Sequence, residues 1–436
     1  MTRILAAIAA LTVFAAPVAS NAAAATQVVD LDGARAYVRA DAGAPLAAVQ
    51  LFVRAGLARE TDAQNGLAAL VAELVLRTPV SSPGSGPATP LVDAVSARGG
   101  SLAYFVSSGY VRFNLQAPPE TLPALTPMLA KALAAPAYDP ATLAAARGAL
   151  SSQISEDEKD PRLVGLAMLR ASYYRGGAAF PPLGTPATLL AFGPADIKAF
   201  HDRWYVRGNA YVAEVGRTGP ATDAASRALV AALPGGNAPT ANVPDTRPYA
   251  AEPRRLITHR DVLSPYVVLG FAAPSLGDGD FAAALVIRSL LTDAFARPSA
   301  TTRPAALRGI GTVYGYDVAP AQMALWINGA LVDPSTGLGA VSALVRATGD
   351  KPLPAPLLNR YKDRARGEWQ LEALSLGDRA WSIGNAVSQG LDPDAADAVS
   401  AAIAQVTPAD VQRVAKRYFL KFDVALILPR TQGQGG

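Results

Sequence analysis

Cysteine is absent from the 436 residues, histidine occurs twice, and charged side chains fill only 17% of positions. Without cysteine there is no disulfide, no thiol nucleophile, no iron–sulfur cluster and no thiolate-bound zinc. His201 and His259 are not paired with another histidine at ligand spacing, so each reads as a structural residue. The 39 basic and 35 acidic residues leave a net charge of +4, too thin a surplus for a basic face, and nucleic acid is not an expected partner. Ser81-Ser82-Pro83-Gly84-Ser85-Gly86-Pro87 is glycine-rich but lacks the lysine and following hydroxyl of a phosphate loop. No Gly-x-Ser-x-Gly elbow marks a serine nucleophile.

What is present is apolar and long. Half of the residues are hydrophobic, which excludes a disordered chain. At roughly 100–200 residues per domain the length allows two to four domains. Arg3, an apolar stretch over residues 4–16 and the small-x-small run Ser20-Asn21-Ala22 have the grammar of a secretory signal. Pro17 interrupts the stretch, and neither it nor any later run reaches the ~20 residues a bilayer span needs. The expectation is removal of residues 1–22 and an exported chain without stable membrane insertion. Its lack of thiols suits a bacterial periplasm.

An internal repeat organises the rest. Phe192-Gly193-Pro194-Ala195-Asp196 begins a segment ending at Trp204-Tyr205, and Val406-Thr407-Pro408-Ala409-Asp410 begins one ending at Tyr418-Phe419. The offset is constant, because 408 − 194, 410 − 196 and 418 − 204 all equal 214. Each copy opens as a helix opens, with proline at its first position and aspartate at the positive end of the dipole. Each leads into a run of β-formers, at 210–215 and 424–428. Upstream, a strand at 48–53 and a helix at 67–76 correspond to a strand at 266–271 and a helix at 281–293. Alternating segments at 104–116 and 313–331 each precede a helical stretch, at 122–133 and 338–347. The expected fold is α+β: two homologous halves, each a mostly antiparallel sheet with helices packed on it, related by pseudo-twofold symmetry. The expected boundaries are a first half over 23–232, a proline- and glycine-rich linker over 233–250, and a second half over 251–436.

Val49-Gln50-Leu51-Phe52-Val53-Arg54-Ala55-Gly56-Leu57-Ala58-Arg59-Glu60, followed by Asn65-Gly66-Leu67-Ala68, resembles the first strand and turn of the pitrilysin/insulinase zinc peptidases. Ser264-Pro265-Tyr266-Val267-Val268-Leu269-Gly270-Phe271, with the later Gly279-Asp280-Phe281, is similar to the start of their second domain. The resemblance covers residues 28–429. It implies two α+β halves that, with a second such chain or domain pair, close around a peptide chamber. It also implies a helix bearing His-x-x-Glu-His, whose first and fifth positions share one face and converge on zinc, with the glutamate activating water. Ala69-Leu70-Val71-Ala72-Glu73 stands in those five places, so Ala69 and Glu73 replace the histidines and Ala72 replaces the base. Counting back from Asp160-Pro161 places Gln153 where the third ligand belongs. One carboxylate cannot hold zinc in a tetrahedral site. No metal is therefore expected in this chain.

The family's second half carries an arginine and a tyrosine that reach the substrate, and Leu307-Arg308-Gly309-Ile310-Gly311-Thr312-Val313-Tyr314 resembles that stretch with one residue fewer in the turn. A guanidinium binds peptide carbonyls and a phenol donates to an oxyanion. An arginine on a solvated turn and a tyrosine opening a half-buried strand is the competing reading of the same residues. Tyr316 shares Tyr314's face of the strand and is a substitute for it. Glu156-Asp157-Glu158 has the composition of a solvated helix end. The alternating strand at 101–107 resembles the edge on which active members dock extended peptide, and peptide docking or mere packing remain open for it. Selective loss of the ligands implies an inactive subunit of a periplasmic heterodimeric zinc peptidase. It would close the chamber and lend Arg308 and Tyr314 to a zinc-bearing partner. A stand-alone peptide-binding or scaffold protein of the envelope is the alternative.

Overall fold

The computed structural model describes residues 25–81, 87–240, 245–247, 253–296, 307–329 and 334–430. The signal expected at 1–22 lies outside the described residues, as do 82–86 of the glycine-rich segment and 241–244 and 248–250 of the linker.

In chain order the first half contains β1 (Gln27–Asp30), β2 (Arg35–Ala40), β3 (Ala47–Val53), α1 (Leu67–Arg77), the two-residue strands β4 (Pro79–Val80) and β5 (Thr89–Pro90), α2 (Leu91–Ser96), β6 (Ser101–Val106) and β7 (Val111–Ala117). Helices α3 (Leu122–Ala134), α4 (Pro140–Asp157), α5 (Pro161–Tyr173), α6 (Pro186–Ala191) and α7 (Pro194–Trp204), then β8 (Ala210–Gly216) and α8 (Pro220–Ala231), complete it. The second half contains β9 (Arg255–Arg260), β10 (Tyr266–Ala273), α9 (Phe281–Ala296), β11 (Leu307–Gly315), β12 (Ala321–Gly329), α10 (Pro334–Asp350), α11 (Ala355–Leu371), α12 (Leu376–Ser388), α13 (Ala398–Gln405), α14 (Pro408–Val414) and β13 (Phe422–Pro429). The two alternating segments read from the sequence thus resolve into hairpins, β6–β7 and β11–β12.

The sheets share one plan. The first runs β1-β2-β8-β3-β7-β6 and the second β9-β13-β10-β12-β11. Each is antiparallel except for one parallel pair, β2 with β8 and β9 with β13. Matching strands pairwise leaves β1 as the one addition and makes β6 and β11 equivalent edges.

Helix starts follow local chemistry. Asp139 accepts from Ala141 N and Thr142 N before α4, Asp160 accepts from Arg162 N before α5, and Ser375 accepts from Asp378 N before α12. Proline occupies the first position of α4 and α5, where a missing N–H is harmless. α1 instead begins at Gly66, whose φ of 105° is open to glycine but strained for other residues.

One face of each sheet carries its own half's helices over an apolar core. The other face is covered by a helix from the opposite half. α12 lies on the first sheet, where Ala380 and Ile383 join Phe52, Tyr110 and Tyr211. α5 lies on the second sheet, where Leu169 meets Val268, Ala324 and Ile427. This exchange explains why β3 is buried along its whole length, since both of its faces are covered. Small residues bring the helices down: a Cβ at Gly384 would collide with the Phe52 ring, and one at Gly165 with the Val268 side chain. Polar contacts pin the seam. Tyr211 Oη donates to Gly384 O over 2.9 Å, and Gln50 Nε2 to Gly377 O over 2.7 Å. Arg379 pairs with Asp41 at 2.9 Å, and Ser172 on α5 donates to Asp423 on β13.

Candidate functional site

α1 is the helix on which the family resemblance would place the inverted metal motif. Ala69 and Ala72 are fully buried in the first core and carry no donor atom. Glu73 is taken up by neighbours: Arg77 Nε donates to its Oε1 over 2.5 Å, and the Tyr104 hydroxyl on β6 bonds to it from the sheet side. Burial, with the carboxylate beside it, pushes the Tyr104 phenol up from its ordinary value, so it stays a donor. Gln153 lies exposed on α4 and donates to Asp157 Oδ1 over 2.7 Å. Two methyl groups, one ion-paired carboxylate and an amide do not fit a tetrahedral zinc ion. Among the described residues no three His, Cys, Asp or Glu side chains are placed to hold a metal ion.

The start of the same helix depends on a residue the sequence reading passed over. Glu60 is buried, and its carboxylate accepts from Ala68 N at 2.7 Å, Gly66 N at 3.1 Å and Asn65 Nδ2 at 3.2 Å. It therefore satisfies backbone donors that the helix itself leaves open. The sequence signal was an acid shortly before Asn65-Gly66. Burial pushes the Glu60 carboxyl up to about 7, from an ordinary 4.5, although the three donors pull it down. Between these values the folded chain binds the proton better than the unfolded one. Stability is accordingly lost as pH rises through this window and levels off above it. At roughly 1.4 kcal/mol per unit the loss is at most about 3 kcal/mol. Urea midpoints measured at pH 5 and pH 7.5 should fall with rising pH, and Glu60→Gln should flatten that fall.

A groove of about 590 Å³ opens between the halves. The edge strands β6 and β11, neither paired beyond its own hairpin partner among the described strands, supply Phe105 and Val106 on one side and Val313 and Gly315 on the other, with Asp317 just beyond the end of β11. The strand ends meet where Ser107 Oγ donates to Asp317 O over 3.3 Å. Phe105 and Val313 are 42% and 44% exposed, so the groove offers apolar side chains beside unpaired backbone. Asp157 and Glu158 sit at its rim, and α5 lines its length. Arg170, from α5, is occupied with Ser108 Oγ at 2.6 Å. Such a groove suits an extended peptide, whose main chain adds to a sheet edge while alternate side chains enter the apolar floor.

Of the second-half pair, Tyr314 is placed differently from the sequence expectation. Tyr314 lies on the inward face of β11, 8% exposed, with its ring against Phe281 and its hydroxyl donating to Pro274 O over 2.7 Å. Tyr316, on the same face, donates to Glu372 Oε2 over 3.0 Å and is equally withdrawn. Neither phenol is offered to the groove, because strand alternation gives that face to Val313 and Gly315. Arg308 falls at the register shift between Leu307 and Gly309 on this edge strand, and its side chain lies outside the described residues. His201 is buried with Nε2 2.8 Å from Leu133 O and its ring stacked on Tyr205. His259 is exposed on β9.

Residues 35–187 match the family profile described as insulinase, peptidase family M16. No curated protein matches the chain significantly. Among solved structures, a protease from Helicobacter pylori superposes with a TM-score of 0.79 at 15% identity, covering 93% of this chain and 100% of that one. A peptidase M16 inactive domain from Pseudomonas fluorescens gives 0.76 at 16% identity over 93% and 98%. A chain of Complex III2 from Candida albicans gives 0.75 at 15% identity over 92% and 95%. At such identities the likeness establishes the fold, which is that of the two-half, pseudo-symmetric M16 peptidases.

Proposed function

Because residues 35–187 belong to the insulinase family, M16, in a chain with the M16 peptidase fold throughout, we propose that this protein is a non-catalytic subunit that holds peptide for a zinc-bearing homologous partner. The observation that carries it is α1: Ala69, Ala72 and an ion-paired Glu73 stand where the resemblance puts the metal-gripping face, while a groove opens between the halves. The partner supplies zinc chemistry, and this chain supplies an edge strand, an apolar floor and, from β11, Arg308. The pattern of residues 1–22 supports placing the assembly in the periplasm, and no helix of the described residues is long and apolar enough to cross a membrane.

The test uses purified chain, alone and mixed with a homologue that has an intact His-x-x-Glu-His helix, on a quenched fluorogenic peptide. Alone it should hydrolyse nothing and bind no stoichiometric zinc, and it should raise the homologue's kcat/KM. Zinc at one per chain, or hydrolysis by this chain alone, would overturn the reading. In the mixture Arg308→Ala should lower kcat/KM about tenfold, the scale of one charge-assisted hydrogen bond. Tyr314→Phe should leave turnover unchanged and cost about 1 kcal/mol of stability through the lost bond to Pro274. One feature favours a second reading, a stand-alone peptide binder: the groove offers an unpaired strand edge beside exposed Phe105 and Val313. Unchanged turnover of the homologue, with peptide still bound, would decide for it.

A further inference from the structure

The two sheets differ at the edge away from β6 and β11. In the first, β2 pairs with β8 on one side and carries β1 on the other. In the second, β9 pairs with β13 in the same parallel sense, and no described strand lies beyond it. The repeat makes the positions correspond. Val212 on β8 is opposite Ala36, and Leu426 on β13, 214 residues later, is opposite Ile257. Ile257 therefore stands where Ala36 does. Ala36 is 1% exposed, with Val29 of β1 directly across from it and packed on the first core. Ile257 has no strand across from it and is 55% exposed. The turn that follows β9 adds Leu263, wholly exposed.

The backbone of this edge is half spent. In a parallel pair, alternate residues turn both N–H and C=O to the same neighbour. Val424 N donates to Arg254 O over 2.9 Å and Arg430 N to Arg260 O over 3.1 Å, so the even-numbered residues of β9 face β13. Arg255, Ile257 and His259 therefore turn their N–H and C=O groups outward. His259 O accepts from Arg260 Nη1 over 3.2 Å, and the other outward groups have no partner among the described residues. The side chains of these three share one face, with Arg255 and His259 exposed on either side of Ile257. Neither basic side chain has a partner among the described residues. The strand that fits is apolar opposite Ile257 and acidic opposite Arg255 and His259, much as β1 sets Asp30 opposite Arg35. A second copy fits less well, because antiparallel pairing of two β9 strands about Ile257 sets each Arg255 opposite a His259 with no acid between them. We propose that β9 docks an extended segment of a partner protein, with an acid–x–apolar–x–acid pattern, as an added antiparallel strand. This edge stands at the far end of the strand order from β11, so the proposal goes beyond the peptide reading and does not depend on it.

Fluorescence anisotropy of the labelled, end-blocked peptide Ser-Glu-Thr-Val-Thr-Glu-Ser, titrated with the full chain, tests the edge. A version with lysine in place of both glutamates is the comparison. The acidic peptide should bind at least about tenfold more tightly than the lysine one. Arg255→Glu should weaken the acidic peptide about tenfold and strengthen the lysine peptide. Ile257→Pro removes an outward N–H and leaves the ladder to β13 intact, so binding should fall at least about tenfold while the urea midpoint holds. Arg255 is exposed, so its substitution still decides the matter if Ile257→Pro fails to fold. No binding of the acidic peptide at chain concentrations up to roughly 1 mM would overturn the proposal. So would equal binding of the two peptides, or a folded Arg255→Glu chain that binds them as the parent does. A dimer of the chain alone in sedimentation, dissolved by Ile257→Pro, would give the edge to a second copy and overturn it as well.

Discussion

Gly384→Leu should destabilise the chain by at least about 3 kcal/mol, at the upper end of what overpacking costs. The helix α12 can lie on the first sheet because position 384 has no side chain: even a Cβ would strike the Phe52 ring, which is fully buried and stacked on Tyr211. Neither ring has room to withdraw, and the Tyr211 hydroxyl is also tied to Gly384 O. Lifting α12 would expose Ala48, Phe52, Tyr211 and Ala213 together, so the loss extends beyond one contact. Gly148→Ala provides the contrast. That glycine is exposed within α4 with open space around it, and alanine should stabilise by up to about 1 kcal/mol through helix propensity. Urea unfolding of both variants measures the difference. Equal effects would mean that α12 does not sit on the first sheet as described.

The reciprocal helix gives the second large effect. Asp423 is fully buried on β13, where it accepts from Ser172 of α5 and from Arg254 Nε at 3.0 Å, with Arg254 N at 3.2 Å. Removing it leaves a buried hydroxyl, a backbone N–H and a guanidinium without their acceptor. Asp423→Ala is expected to cost about 3–4 kcal/mol, the scale of breaking a buried pair. Ser172→Ala removes one bond of that set and should cost about 1 kcal/mol. Both are read from urea midpoints, and the parent chain should unfold in one transition by fluorescence and circular dichroism. Each half's sheet is covered by the other half's helix, so neither half can open while the other stays closed. Two separated transitions in the parent would contradict the exchange.

Much of the repeat was legible because its signals are local. Proline and aspartate at 194 and 196, and again at 408 and 410, announce helix starts, and those helices stand where the offset of 214 put them. The segment at 104–116 read as alternating, and within it β7 buries every second residue. That Ala69 and Ala72 lack donor atoms was readable for the same reason: a residue type either has a lone pair or lacks one.

Other features were hidden because they depend on residues distant in the chain. Tyr314 was assigned to substrate from its place in a pattern, yet alternation specifies two faces without saying which one meets the groove. Packing against Phe281 and the bond to Pro274 decided it. Glu60 gave no periodic signal, since its role is to accept from a helix start that folds back upon it. The exchange of α5 and α12 left no mark beyond two small residues, Gly165 and Gly384, whose partners lie about a hundred positions or more away. By itself the sequence determined the two-fold repetition and the helices and strands that repeat, because each follows from side-chain type and near-neighbour spacing. Only the tertiary structure decided which half covers which sheet, where the groove opens and which aromatic rings face it, because burial is settled by whatever chain arrives from elsewhere.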